Sequence, residues 1–206
     1  MKREAPRLLK SSRGAQPSLF ADAHDSPAAL GIPGLQYFSE FVTAEEERDL
    51  VAAIDAEEWD TTWDRRRQPY GATYGKSSAP VRPIPAWGLK LAGRLDEMKL
   101  IDRPFDQMLI NEYEPGQGIA MHRDYEPFDR TVVSLSLLAP CVMDFRHVAS
   151  GRKESLLLER RSLIVLSDEA RYEWEHGIAR RKSDGWQGRV IPRGRRLSVT
   201  FRVLKK

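Results

Sequence analysis

Thr131-Val-Val-Ser-Leu-Ser-Leu-Leu138, Cys141-Val-Met-Asp-Phe145 and Ser162-Leu-Ile-Val-Leu166 decide the fold class of this chain. They are short, rich in branched and apolar residues, and separated by Gly, Pro and Asp turns, which is how strands read. Gln107-Met-Leu-Ile-Asn-Glu-Tyr113, Ser155-Leu-Leu-Leu158 and Leu197-Ser-Val-Thr-Phe-Arg-Val203 belong to the same set. Upstream the pattern is helical. Thr43-Ala-Glu-Glu46 has capping-box spacing, and Leu50, Val51 and Ile54 follow at helical intervals, predicting a helix over about 44–57. Ala86 to Met98, with Trp87, Leu91 and Leu95, predicts a second. Trp59 to Gly75, rich in aromatics, Arg and Gly, reads as irregular or as a hairpin. Helices first and strands afterwards imply an α+β, mainly β domain: an antiparallel sandwich or barrel with helices packed outside.

The 206 residues suit one domain over 31–206, preceded by a flexible tail over 1–30 that lacks apolar periodicity. Hydrophobic residues at 41% and charged residues at 31% exclude a disordered or membrane-embedded class. Nothing resembles a signal peptide, and a lone cysteine excludes an internal disulfide, so a reducing, cytoplasmic setting is expected; a monomer is expected as well. Cys141 itself reads as a small buried hydrophobe. Net charge is only +3, yet arginines bunch at 65–67, 160–161, 180–181 and 193–196. Such clusters track phosphates or are simply solvated. Gln16-Pro17-Ser18-Leu19-Phe20 resembles the motif by which bacterial replication and repair proteins hook the sliding clamp; Leu19 and Phe20 equally suit tacking the tail to the domain.

The chemistry sits in His122-Arg123-Asp124 and His176. Two imidazoles and a carboxylate occupy one face of an octahedral metal and leave the other open, the facial triad of non-haem Fe(II) oxygenases. On a strand, residues two apart share a face, so His122 and Asp124 are expected to point together, as are Asn111 and Tyr113. In the last strand Arg196, Ser198, Thr200 and Arg202 share one face, and Leu197, Val199, Phe201 and Val203 the other. If the apolar set packs on helices, two arginines look into the sandwich, where they need anionic partners. A bound dicarboxylate meets that need, because guanidinium forks bind carboxylates bidentately. His122 and His176 also admit a reading as satisfied core histidines; the matched arginine strand favours the metal. His24 and His147 lack a ligand partner at close spacing.

Together, Asn111-Glu-Tyr113-x-Pro-Gly-Gln-Gly-Ile-x-x-His122-x-Asp124, Val133-Ser-Leu-Ser-Leu137, Glu169-Ala-Arg-Tyr-x-Trp-x-His176 and Arg196-x-Ser-x-Thr-Phe-Arg202 resemble the AlkB family over about 32–204. The resemblance implies Fe(II)- and 2-oxoglutarate-dependent dioxygenase chemistry with O₂ on a double-stranded β-helix (jelly roll), with the N-terminal helices on one sheet and a nucleotide-recognition lid. It implies that His122, Asp124 and His176 hold iron. Arg196 would grip the far carboxylate of 2-oxoglutarate with Tyr113 and Ser198, while Asn111 and Arg202 sit near its other end, Arg202 also steadying Asp124.

The family acts on DNA, RNA and protein. Glu126 occupies the position where repair members carry an acid that contacts the damaged base, although a surface acid after a turn explains it equally well. Arg66, Gln68, Tyr70 and Tyr74 resemble the substrate lid, Arg for phosphate and Tyr for stacking on a flipped base. Trp63 and Trp87 are assigned to the core. The expected partner is alkylated DNA or RNA, demethylated with release of formaldehyde, succinate and CO₂; the alternative is hydroxylation or demethylation of tRNA, protein or a small molecule.

Overall fold

In the computed structural model, which describes residues 30–72, 82–101 and 103–205, Thr43 opens the first helix as its sequence requires. Its Oγ1 accepts from the Glu46 N–H at 3.1 Å, and Glu46 Oε2 accepts from the Thr43 N–H at 2.9 Å, starting α1 (Ala44–Asp55). α2 spans Ala86–Glu97. Both helices lay Leu50, Ile54, Leu91 and Leu95 against Leu197, Val199 and Phe201, one buried cluster on the outer face of a sheet. Each such side chain contributes about 1.5–3 kcal/mol by leaving water.

That sheet has six strands, in spatial order β1 (Leu35–Phe38), β8 (Leu163–Leu166), β5 (Val132–Leu138), β12 (Arg196–Arg202), β3 (Gln107–Tyr113) and β2 (Arg67–Gly71). Facing it is a sheet of four: β4 (Ile119–His122), β9 (Trp174–Ile178), β6 (Cys141–His147) and β7 (Lys153–Leu158). Every pairing in both sheets is antiparallel. Val132, Ile164 and Leu166 from the first sheet and Met143, Phe145, Leu156, Leu158 and Trp174 from the second bury each other between the layers. A short helix, α3 (Asp168–Tyr172), leads into β9, and a hairpin of β10 (Ser183–Trp186) and β11 (Arg189–Pro192) follows it. This is the jelly-roll architecture expected.

The apolar patterning does not reveal β1, β4, β9, β10 or β11, and β4 is anticipated only as the strand expected to present His122 and Asp124. β4 and β9 hide for a physical reason. They carry Met, His, Glu and Gly at the site, so the apolar alternation that betrays a strand is missing. Within residues 59–72 there is an edge strand, β2, paired to β3. Trp63 is corrected from core to surface, 61% exposed. The segment Gln16–Phe20, His24 and Tyr74 lie outside the described residues. Among the described residues, no helix is long and apolar enough to cross a membrane.

Candidate active site

β4 and β9 set His122 directly opposite His176, their ring centroids 4.5 Å apart. β4 ends at His122, so a loop carries Asp124, correcting the expectation that one strand presents both residues. Asp124 Oδ2 still lies 3.6 Å from His176 Nε2. Gly177 permits the close strand approach, since a Cβ there would meet Met121 Sδ at 2.8 Å and the Ile119 carbonyl at 3.0 Å. His122 Nδ1 lies 2.9 Å from the Ala120 carbonyl, which favours Nδ1 as the protonated nitrogen and leaves Nε2 for a metal.

Asp124 is buried, and its Oδ1 accepts from Arg202 Nε at 2.8 Å and pairs with Nη2 at 2.7 Å. Burial opposes its ionisation, but Arg202, His176, Arg171 and His122 outweigh burial and hold its pKa at about 2. Burial, only partly countered by Asp124, takes His176 down to about 4. An anionic carboxylate and a neutral imidazole are the forms that ligate. Among the described residues no three His, Cys, Asp or Glu side chains close into a finished metal cage. The fit to ferrous iron lies in the donor set: two imidazoles and one carboxylate with an open side.

Beside these three side chains is a cavity of about 60 Å³ whose lining includes Asn111, Tyr113, Ser134, Ser198, Thr200 and Arg202. The β12–β3 register sets Arg196 opposite Tyr113 and Ser198 opposite Asn111, so the polar face of β12 looks inward, as its alternation required. Arg196 is buried behind Tyr113, its guanidinium 5.3 Å from that ring's centroid. Its Nη2 donates to Ser136 Oγ at 2.7 Å, while Nε and Nη1 find no partner. A buried guanidinium left so is costly, and an incoming carboxylate relieves it. The residues therefore fit 2-oxoglutarate.

Residues 38–202 match the family model described as the 2OG-Fe(II) oxygenase superfamily. The chain belongs to that superfamily. It is 33% identical over 186 residues to uncharacterized protein L905 of Acanthamoeba polyphaga mimivirus, covering 86% of this chain and 88% of that one. It is 34% identical over 206 residues to the alkylated DNA repair protein ALKBH8 homolog of Arabidopsis thaliana, covering 85% of this chain and 60% of that protein. It is 35% identical over 216 residues to the tRNA (carboxymethyluridine(34)-5-O)-methyltransferase ALKBH8 of Macaca fascicularis, covering 87% of this chain but 32% of that protein. The chain thus spans less than two thirds of these two longer relatives. The solved structure of OsALKBH1 superposes with a TM-score of 0.67 at 17% identity, covering 82% of this chain and 98% of that one. The protein is an AlkB-family dioxygenase that uses Fe(II), 2-oxoglutarate and O₂. When bound, that set supplies oxidation of a substrate C–H bond, with succinate and CO₂ as co-products.

In this dioxygenase a groove of about 340 Å³ opens over the triad, lined by Trp63, Arg65, Arg67, Asn111, Arg123 and Tyr125, with His122 and Asp124 among its residues. The predicted lid residues fall elsewhere. Gln68 is buried, its Nε2 donating to the Ile54 carbonyl at 2.9 Å and the Glu57 carbonyl at 3.2 Å. Tyr70 is buried too, its hydroxyl donating to Gln68 Oε1 at 3.1 Å. Arg66 pairs with Glu112 and stacks on Trp59, 4.5 Å from its ring centroid. Their assignment to substrate is corrected by parity. Arg67 sits opposite Asn111 and faces the groove, so residues one position away in β2 face the helices. Glu126 pairs with Lys205 with its side chain 81% exposed, and is not among the groove's lining residues.

One positioning residue was missed. Buried Arg171 donates to the Asp124 carbonyl at 3.1 Å, the Tyr125 carbonyl at 3.0 Å and the Phe128 carbonyl at 3.2 Å, fixing the loop that carries Asp124. The only sequence signal was an arginine five residues before His176.

Proposed function

We propose that this dioxygenase hydroxylates the N-alkyl group of a modified base in DNA or RNA, so that an N-methyl group leaves as formaldehyde. His122, Asp124 and His176 hold the iron in this reading. Arg196, Tyr113 and Ser198 take the far carboxylate of 2-oxoglutarate, and Asn111 and Arg202 stand near its other end. The observation that carries the substrate class is Trp63. Its indole is 61% exposed at the groove and rests on Arg67, whose guanidinium is 4.3 Å from the ring centroid. An aromatic plate backed by a cation suits a base taken out of its stack. Arg65 and Arg123 beside it suit the flanking phosphates.

A second reading, oxidation of a modified tRNA base, draws support from the name of the macaque relative, which describes a tRNA-modifying protein. One panel tests both. Single- and double-stranded DNA carrying 1-methyladenine or 3-methylcytosine, matching RNA, and bulk tRNA are incubated with Fe(II), 2-oxoglutarate and O₂ and read by mass spectrometry. Loss of a methyl mass from the oligonucleotides supports the first reading; gain of one oxygen on tRNA alone supports the second. Unchanged nucleic acid in every arm, with succinate still formed, refutes both.

A further inference from the structure

Two guanidiniums stand over the ring of Tyr113. Arg196 comes from β12 and lies 5.3 Å from the centroid; Arg65, just ahead of β2, lies 5.1 Å from it. Both are buried at their Nε atoms without a hydrogen-bond partner. Among the described residues neither pairs with a carboxylate. Arg65 Nη1 donates to the Gly118 carbonyl at 2.6 Å, a neutral acceptor at the entry to β4.

The segment around Arg65 is strapped down at the same place. Gln117 Nε2 donates to the Asp64 carbonyl at 2.6 Å, and Arg180 Nη2 meets Asp64 Oδ2 at 2.5 Å. Residues 64–65 thus cross from the edge of the six-stranded sheet to β4 of the other sheet, over Tyr113. The same short segment lends Trp63, Arg65 and Arg67 to the substrate groove. Burial raises the Tyr113 pKa, with Arg196 and Arg65 pulling the other way. The phenol stays protonated at neutral pH and is able to donate to a carboxylate.

We propose that Arg65 is a positioning residue of the 2-oxoglutarate pocket, pressing on Tyr113 from the segment that borders the substrate groove. The inference rests on the assignment of Tyr113 and Arg196 to the co-substrate. The far carboxylate of the keto-diacid would meet Tyr113 between the buried Arg196 and the partly buried Arg65, two guanidiniums that lack an anionic partner among the described residues. A dianion that settles against Tyr113 holds the strap down, and a seated strap holds the dianion; the coupling is the same in both directions. Co-substrate occupancy therefore sets how firmly the Trp63–Arg67 segment is docked before nucleic acid arrives.

The test uses the full chain loaded with Mn(II), with 2-oxoglutarate binding followed by calorimetry and Mn(II) binding by electron paramagnetic resonance. R65A should bind 2-oxoglutarate about tenfold more weakly, in line with loss of one cation–π contact and one charge. Mn(II) affinity should stay within about twofold, and KM for 2-oxoglutarate should rise. R65M keeps the aliphatic bulk and serves if R65A does not fold. R180A removes a strap contact but no guanidinium over Tyr113, so its loss should be under about threefold. Unchanged 2-oxoglutarate affinity in R65A and R65M overturns the inference. So does an equal loss in R180A, or a parallel loss of Mn(II). If the unsubstituted protein does not bind 2-oxoglutarate, the pocket assignment falls and the inference with it; equal binding by wild type and R65A removes the inference alone.

Discussion

Arg202 holds Asp124 by two nitrogens on one carboxylate oxygen, Oδ1, leaving Oδ2 turned toward His176. The division matters because a ligating carboxylate needs one oxygen anchored and the other free. Arg202 is itself oriented by Gln107, whose Oε1 accepts from Nη1 at 3.2 Å. R202A should lower Fe(II) affinity by about 10- to 100-fold, the usual effect of losing a partner that orients a ligand. Anaerobic metal titration checks it, and equal affinity in the variant would remove Arg202 from the site.

Arg196 is a buried cation awaiting a partner, so its removal should act differently with and without co-substrate. R196M should melt no lower than wild type, because an apolar chain replaces an unsatisfied charge. It should also lose the rise in Tm that 2-oxoglutarate gives the unsubstituted protein. Thermal melts with and without the keto-diacid decide this, and a rise retained in R196M contradicts the pocket assignment.

The two faces of residues 63–70 should separate binding from stability. W63A should weaken binding to a methylated oligonucleotide by about 1–3 kcal/mol with little change in melting, as expected of an open stacking surface. Q68A should leave oligonucleotide binding alone and lower stability by about 1–3 kcal/mol, since the buried Ile54 carbonyl and the partly buried Glu57 carbonyl lose their donor. Fluorescence anisotropy and urea unfolding measure the two effects. The reverse pattern would restore the lid assignment that the strand parity contradicts.

Acid should destabilise the fold through Asp184 and Glu47. Burial opposes ionisation of Asp184, but Arg193, the Val142 N–H and Arg181 outweigh it, lowering its pKa from 3.8. Glu47 is likewise lowered from 4.5 against its burial, by Arg160 and the Leu138 N–H. A depressed folded pKa stabilises above the unfolded value and loses that contribution as pH falls toward the folded one. The urea midpoint should be flat from about pH 7 to about pH 5.5 and drop below about pH 4.5. D184N should already be destabilised by about 3–5 kcal/mol at neutral pH, because Arg193 keeps its charge without its partner.

Legibility followed the periodicity. The helices over Ala44–Asp55 and Ala86–Glu97 and the apolar strands were readable because each shows its own repeat in composition. β4 and β9 were not, since the residues that build the site displaced the apolar alternation there. In β2 the strand itself was ambiguous. Choosing residues 66, 68 and 70 over 65 and 67 was a single-residue matter of phase, and composition does not carry phase.

What the sequence alone determined is which side chains share a face once a strand exists: Arg196, Ser198, Thr200 and Arg202 are bound together by the period of two, whatever surrounds them. Only the tertiary structure decided which faces meet. His176 stands across from His122 because β4 and β9 pair, Arg65 reaches Tyr113 because one sheet edge is strapped to the other layer, and Trp63 lies open because β2 pairs with β3 in this phase. Those contacts join residues about 50 apart in the chain, and their geometry is set by sheet packing, a property of the whole core that no local spacing encodes.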